Sequence, residues 1–214
     1  MSLKIQIIVD NESWIIPFAK KLNSSLCKHN YISSFINSVD LIEDGDILFL
    51  LGCHSILTHD ILKKNKHNIV VHESDLPKGK GWSPMTWQIL EGKSEIPITL
   101  FEAAEKVDAG DIYIKDKIEL DGTELIKDWQ SKLGNKTIEL CKEFLFKFPN
   151  KLDPKPQDKI NGNYYPRRTP QNSELDVNKS IADQFNLLRT VDNDKYPAFF
   201  KYKGCQYEIK ITKK

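Results

Sequence analysis

The sequence predicts an α/β fold on a mostly parallel sheet, and three observations predict it. Compact apolar runs recur at the N-terminus, at DILFLL (46–51) and at NIVVH (68–72), the pattern of strands covered on both faces. Stretches of helical periodicity separate strands, the alternation that builds parallel sheets. The 214 residues suffice for one domain with a full core and a small appendage.

The first strand is LKIQIIVD, rich in β-branched residues and bounded by the turn formers Asp10 and Asn11. A helix follows, with Ser13 as its N-cap, Pro17 in the first turn, and Trp14, Phe18, Leu22 and Leu26 on one face. Tyr31 to Phe35 is a short strand, Asp46 to Leu51 a fully covered one ending at Gly52, and Ser55 to Lys66 a short helix. Asn68 to His72 is the next strand, and it ends in a histidine. A helix over Pro84 to Glu91 and strands at Ile96 to Glu102 and Ile112 to Leu120 complete the sheet region. Apolar positions from Leu125 to Phe148 fit a long covering helix, with Gly134 as a point of interruption. Pro, Lys, Asp, Asn and Gly crowd together from Pro149 to Pro166, so the main domain is expected over 1–150. Residues 151–214 are then a linker followed by a small α+β tail, with a helix at Ser180 to Val191. Strands at Ala198 to Tyr202 and Gln206 to Ile211, joined by a Lys-Gly turn, end the chain.

With 31 basic and 30 acidic side chains the formal charge is +1, which supplies no excess of Lys and Arg for a phosphate backbone or an anionic bilayer. No nucleic acid and no membrane are expected as partners. No apolar run approaches the roughly 20 residues of a membrane span, and the N-terminus reads as a strand and not a signal peptide, so the expected location is cytoplasmic. Cys27, Cys53, Cys141 and Cys205 are scattered with no CxxC pair, which predicts reduced thiols and no metal site.

Two positions stand out in this layout. In open parallel sheets ligands collect outside the carboxyl ends of strands, which is where His72 falls, and Asp108 lies in the loop after a later strand. By pattern alone a strand-end histidine is more often a structural hydrogen-bonder than a catalyst, and an aspartate beside glycine more often a turn residue.

The stretch HESDLPKGKGWSP (72–84), with WQILEG at 87–92, resembles the core motif HxSxLPxxxG of the formyltransferases that use 10-formyltetrahydrofolate. VDAGDI (107–112) is similar to that family's second motif. The tail segments YYPRRTP (164–170) and FNLLRTVDNDKYPAFF (185–200) resemble the region following the catalytic domain in sugar-nucleotide N-formyltransferases. The resemblance runs from Asp46 to the end, and it implies a Rossmann-like formyltransferase domain with His72 and Asp108 catalytic. It implies 10-formyltetrahydrofolate as formyl donor, held largely by main-chain groups around Gly52, Cys53, Phe101, Glu102, Ala104 and Glu105. It implies a nucleotide-linked amino sugar as acceptor. Phosphate binding calls for cations and base or sugar binding for aromatic surface, which directs attention to Lys78, Lys80, Trp82, Ser83, Arg167, Arg168, Asn186 and Arg189.

The departure from the family is Val70. The family has asparagine two residues before the histidine, and an apolar side chain cannot donate to the formyl oxygen. Loss of one such donor costs roughly 100- to 1000-fold in rate. Asn68 is two residues further down the strand, nearly 7 Å away by strand geometry, so Ser83 or a main-chain N-H is the expected substitute. Two alternative functions follow: a methionyl-tRNA formyltransferase-like enzyme, or a catalytically impaired module that binds folate and sugar nucleotide. Formyltransferases of this kind are commonly dimeric, and the edge strand Gln206 to Ile211 is a candidate for homodimer association.

Overall fold

The computed structural model describes residues 2–158 and 162–214. Strands β1 (Lys4–Ile8), β2 (Ile32–Ile36), β3 (Gly45–Leu50) and β4 (Asn65–His72) are parallel neighbours in the order β2-β1-β3-β4. The two-residue strand β5 (Lys80–Gly81) leaves the sheet. Strands β6 (Glu95–Glu102) and β7 (Ile112–Glu119) then complete the six-stranded sheet as antiparallel neighbours beyond β4. The fold is therefore α/β with a mostly parallel central sheet, as the apolar runs predict.

Strand alternation divides the core. Ile5, Ile7 and Val9 of the first strand region, with Ile47, Phe49 and Leu51, face the main core under α1 (Ile16–Lys28) and α4 (Ile126–Lys147). Ile8, Leu48 and Leu50 face a smaller apolar cluster with Ile42 and Leu57. The helix α1 begins at Ile16, not at a Ser13 cap: Ser13 Oγ accepts only a long 3.5 Å bond from Ile15 N-H, and Pro17 sits in the opening turn, where its missing N-H costs nothing. Gly134 does not interrupt α4. A side chain there would come within 2.5 Å of the Phe18 ring, so the glycine lets α1 and α4 approach.

Two expected helices are shorter than their periodicity suggests. Between Ser55 and Lys66 only α2 (His59–Leu62) is helical, because Asn65 and Lys66 are drawn into β4 and the N-H groups of His54 and Ser55 bond to Asp10. Between Ser180 and Val191 only α5 (Phe185–Leu188) is helical. There the Gln184 side chain bonds both the N-H and the carbonyl of Asp176, and Ser180 and Asp183 bond each other, so side chains take main-chain groups away from a longer helix. Helix α3 (Pro84–Leu90), and the hairpin of β9 (Ala198–Tyr202) with β10 (Cys205–Ile209), match expectation within two residues.

The tail packs back on the body, beginning with an antiparallel bridge between Lys155 and Ile112. Strand β8 (Tyr164–Tyr165) pairs parallel with β5, and the Tyr165 ring stacks near-parallel to that of Trp87 on α3. Arg189 is 3% exposed: its Nη2 lies 2.9 Å from Glu124 Oε2, its Nε donates to the Glu124 carbonyl, and its own carbonyl accepts from Trp129 Nε1. Among the described residues no helix is long and apolar enough to cross a membrane.

Removing Glu124 leaves the Arg189 guanidinium without its partner in a water-poor site, whereas removing Arg189 leaves Glu124 still paired with Lys132 at 2.6 Å. Glu124→Ala should lower the stability measured by urea denaturation by about 3–5 kcal/mol, and Arg189→Ala by less. Tail and body are expected to melt in one transition. At Asp10, burial raises the carboxyl pKa, but bonds from Ser55, His54 and Asn11 outweigh it and hold the group at about 2. Its stabilising contribution is thus complete above the unfolded value of about 3.9 and disappears as pH falls through about 2. Asp10→Asn is expected to cost about 1 kcal/mol near neutrality after solvent screening, and its Tm difference from wild type should shrink between those two pH values.

Candidate active site

A cleft of about 410 Å³ opens at the carboxyl ends of β3 and β4. Its apolar wall includes Leu50, Ile56, Leu57, Leu62, Val70 and Phe101. His72, Glu73, Ser83 and Asp108 are among its polar lining residues. Volume and lining both suit a small organic ligand.

His72 ends β4 with its side chain 10% exposed. Its Nε2 donates to the Gly79 carbonyl at 3.0 Å and lies 3.9 Å from Asp108 Oδ2, a distance for charge attraction and not for a hydrogen bond. Asp108 Oδ2 accepts from Gly81 N-H at 3.0 Å. Both side chains are therefore aimed by one piece of main chain, residues 79–81. The tail fixes that piece: Gly79 N-H donates to Asn163 Oδ1 at 2.7 Å, Trp82 N-H donates to the Tyr165 carbonyl, and β5 pairs with β8.

The route by which Asp108 reaches His72 differs from a simple parallel-sheet picture. Strand β6 is antiparallel to β4, with Thr99 opposite His72 and Glu102 opposite Ile69, so the chain leaves β6 below the histidine. Residues 103–111 then climb back over Phe101. The loop closes through Glu102 N-H to the Asp111 carbonyl, and a Cβ at Gly110 would lie 1.8 Å from the Glu102 carbonyl oxygen, so only glycine fits. Asp108 itself adopts φ 53°, a left-handed conformation that aspartate tolerates better than most residues.

Of the residues expected to hold folate, Gly52, Cys53, Phe101 and Ala104 line the cleft. Asp10 shapes their loop by accepting from the N-H groups of His54 and Ser55 at 2.8 Å each. Burial, then the charge of Asp10, pushes the Cys53 thiol up to about 12, and its Sγ donates to the Ile8 carbonyl, so it is a packing group and not a nucleophile. The Glu102 side chain is not available to a ligand: it accepts from Tyr113 Oη at 2.9 Å, from Asn68 N-H, and contacts His67 Nδ1. Glu105 points to His59, 2.9 Å away on the surface. Residues Ala104 to Val107 are exposed, and among the described residues none of their main-chain groups bonds another main-chain group.

Of the residues expected to hold an acceptor, Trp82 and Ser83 line the cleft, and the Arg167 guanidinium carbon sits 4.9 Å over the Trp82 ring. His54 packs on Trp82 at 5.2 Å. Lys78 is exposed and Lys80 is partly covered in β5, and neither lines the cleft. Arg189 is corrected outright, being consumed by Glu124 inside the fold. Arg168 bonds the Asn172 carbonyl and Asn186 sits beside Gly92 on α5, both away from the cleft. Asn68 likewise gives its amide N-H to the Leu62 carbonyl and does not replace the amide absent at Val70. Among the described residues no group of three or more His, Cys, Asp or Glu is placed to hold a metal ion. Sequence reasoning overlooked Glu73 and Tyr164, which line the cleft, and Asp10, which builds its loop. Glu73 was in view as a charge at a variable position of the motif.

The formyl transferase family model matches residues 27–145, more than half of the chain. Three solved structures share the fold. Methionyl-tRNA formyltransferase from Clostridium thermocellum superposes with a TM-score of 0.80 at 24% identity, over 98% of this chain and 92% of that one. A 4-N formyltransferase from Francisella tularensis gives 0.73 at 20% identity, over 98% and 97% of the two chains. HypX from Aquifex aeolicus in complex with tetrahydrofolic acid gives 0.80 at 16% identity, over 99% of this chain and 38% of that one. The family match spans both the strand-end histidine and the aspartate that the loop after β6 brings to it, and on that match the chain belongs to the formyl transferase family and is a formyltransferase.

Proposed function

We propose that this enzyme moves a formyl group from 10-formyltetrahydrofolate to the amine of a nucleotide-linked amino sugar, with His72 and Asp108 as its catalytic pair. The observation that carries the acceptor class is the mouth of the cleft, where Arg167 lies over Trp82 and Tyr164 stands exposed beside it. A guanidinium next to aromatic faces matches a diphosphate next to a base or sugar. A tRNA acceptor would demand a basic face, and the net charge is +1. The sugar N-formylation reading is also supported by the likeness to the Francisella tularensis 4-N formyltransferase. The reaction class suits polysaccharide or glycan precursor synthesis in the cytoplasm.

The hydrogen bond to Gly79 supports a role for His72 as a base. A carbonyl only accepts, so Nε2 carries a proton and the lone pair of the neutral ring is on Nδ1. Nδ1 is then the atom that takes the proton the amine sheds as its nitrogen bonds to the formyl carbon. Asp108, 3.9 Å from Nε2, stabilises the imidazolium so formed, and the proton returns to the folate nitrogen as its bond to the formyl carbon breaks. Cleft walls of Leu50, Val70 and Phe101 exclude water from these charges, which strengthens their attraction. The folate supplies the activated formyl group. For its ring system the loop 104–107 offers main-chain donors and acceptors.

Incubation with 10-formyltetrahydrofolate and a panel of UDP-, dTDP- and GDP-linked amino sugars should give a formylated product by mass spectrometry. His72→Ala and Asp108→Ala are expected to lower kcat/KM by about 100-fold or more. Folate binding without any transfer by wild type would establish the binding-module alternative. Arg167→Ala should raise KM for the sugar nucleotide about 10-fold with little change in kcat, because its contact is made equally in ground and transition states.

A further inference from the structure

The cleft contains one ionisable side chain that this mechanism leaves without a task. Glu73 follows His72 directly and lines the cleft, and among the described residues its carboxyl bonds no side chain and is met only by its own main-chain N-H. Such a group in a partly apolar site is costly unless it is neutral or has a ligand to bind. The donor to the formyl oxygen, meanwhile, is unassigned. Val70 occupies the position of the family's asparagine, His72 Nε2-H is committed to Gly79, and the Cys53 thiol is committed to Ile8.

We propose that Glu73 is a catalytic residue that stays protonated and donates a hydrogen bond to the formyl oxygen as that oxygen becomes an anion, the task left vacant by Val70. It rests on formyl transfer occurring in this cleft but not on which sugar is used. As the amine nitrogen bonds to carbon, the carbonyl electron pair moves to oxygen. When the pair returns, the bond from carbon to the folate nitrogen breaks. Glu73 keeps its proton throughout, and the proton shed by the amine passes through His72. The electrostatic setting agrees. Burial, above all, raises the Glu73 pKa; the positive influence of His72 lowers it and the carboxylate of Asp108 raises it, with a net upward shift. The other ionisable groups facing the cleft are Cys53 and His54 from the loop after β3 and Tyr164 from β8. None of these pairs with Glu73.

An amide can make the same donation and a methyl group cannot, so two variants separate this role from that of a base. Glu73→Gln should keep kcat/KM within about threefold of wild type, whereas Glu73→Ala should lose roughly 100- to 1000-fold. The wild-type profile should also decline as pH rises through the Glu73 ionisation, a limb that Glu73→Gln lacks. Infrared difference spectra of wild type against Glu73→Gln, taken without any acceptor, should show the carbonyl stretch of a protonated acid at a pH above the ordinary glutamate pKa of about 4.3. Equal inactivity of Gln and Ala variants would overturn the proposal in favour of a base, and full activity of Glu73→Ala with loss in Ser83→Ala would reassign the donor to Ser83. A carboxylate already ionised at that pH would overturn it as well. If no sugar nucleotide is formylated by wild type, the acceptor assignment fails, and the infrared result still decides the state of Glu73.

Discussion

The placing of His72 beside Asp108 depends on three residues of main chain, Gly79 to Gly81. The Gly79 carbonyl accepts a hydrogen bond from His72 Nε2, and the Gly81 N-H holds the Asp108 carboxylate. These bonds set the distance between the imidazole and the carboxylate without a direct bond between them. The segment has no regular structure of its own beyond two residues of strand, so it must be held from outside. Tyr164, Tyr165 and Asn163 do so from a point more than 80 residues further along the chain. The tail thereby fixes where His72 and Asp108 stand although neither residue belongs to it.

The same economy appears beneath the cleft. Glu102 gathers Tyr113, His67 and the Asn68 N-H, joining β4, β6 and β7 where the sheet turns antiparallel. Asp10 gathers two N-H groups of the loop after β3. Each carboxylate accepts several hydrogen bonds, an arrangement in which an acidic side chain serves as a fixed staple for main chain that no neighbouring strand can satisfy. Glu73 differs from both. It ties no other segment of main chain in place, and among the described residues its carboxyl is met only by its own main-chain N-H.

The fold was largely legible in the sequence. Ile5, Ile7, Ile47, Phe49 and Ile69 lie in continuous apolar runs because parallel strands are covered on both faces, and that pattern needs no tertiary information. Helix ends were less legible. Gln184 and Asp183 diverted main-chain hydrogen bonds in the tail, and β4 recruited Asn65 and Lys66, because local propensity yields to whatever partners the tertiary structure supplies. In the site, the motif positions His72, Gly81 and Asp108 are found together, and Trp82 and Arg167 adjoin at the mouth. Arg189 was misjudged, since a cation in a tail helix looks alike in sequence whether it faces a ligand or a buried Glu124.

The sequence by itself determined the α/β class, the central strands, the covering helix α4 and the two motifs that mark the chemistry, because these depend on periodicity and on residue types within short windows. Only the tertiary structure decided that β6 runs against β4, that residues 103–111 climb back to bring Asp108 to His72, and which arginine stands at the cleft and which is sealed inside the fold. Those are pairings between residues separated by tens of positions, set by strand order and by which buried charge finds a partner, and neither quantity is written in a local pattern.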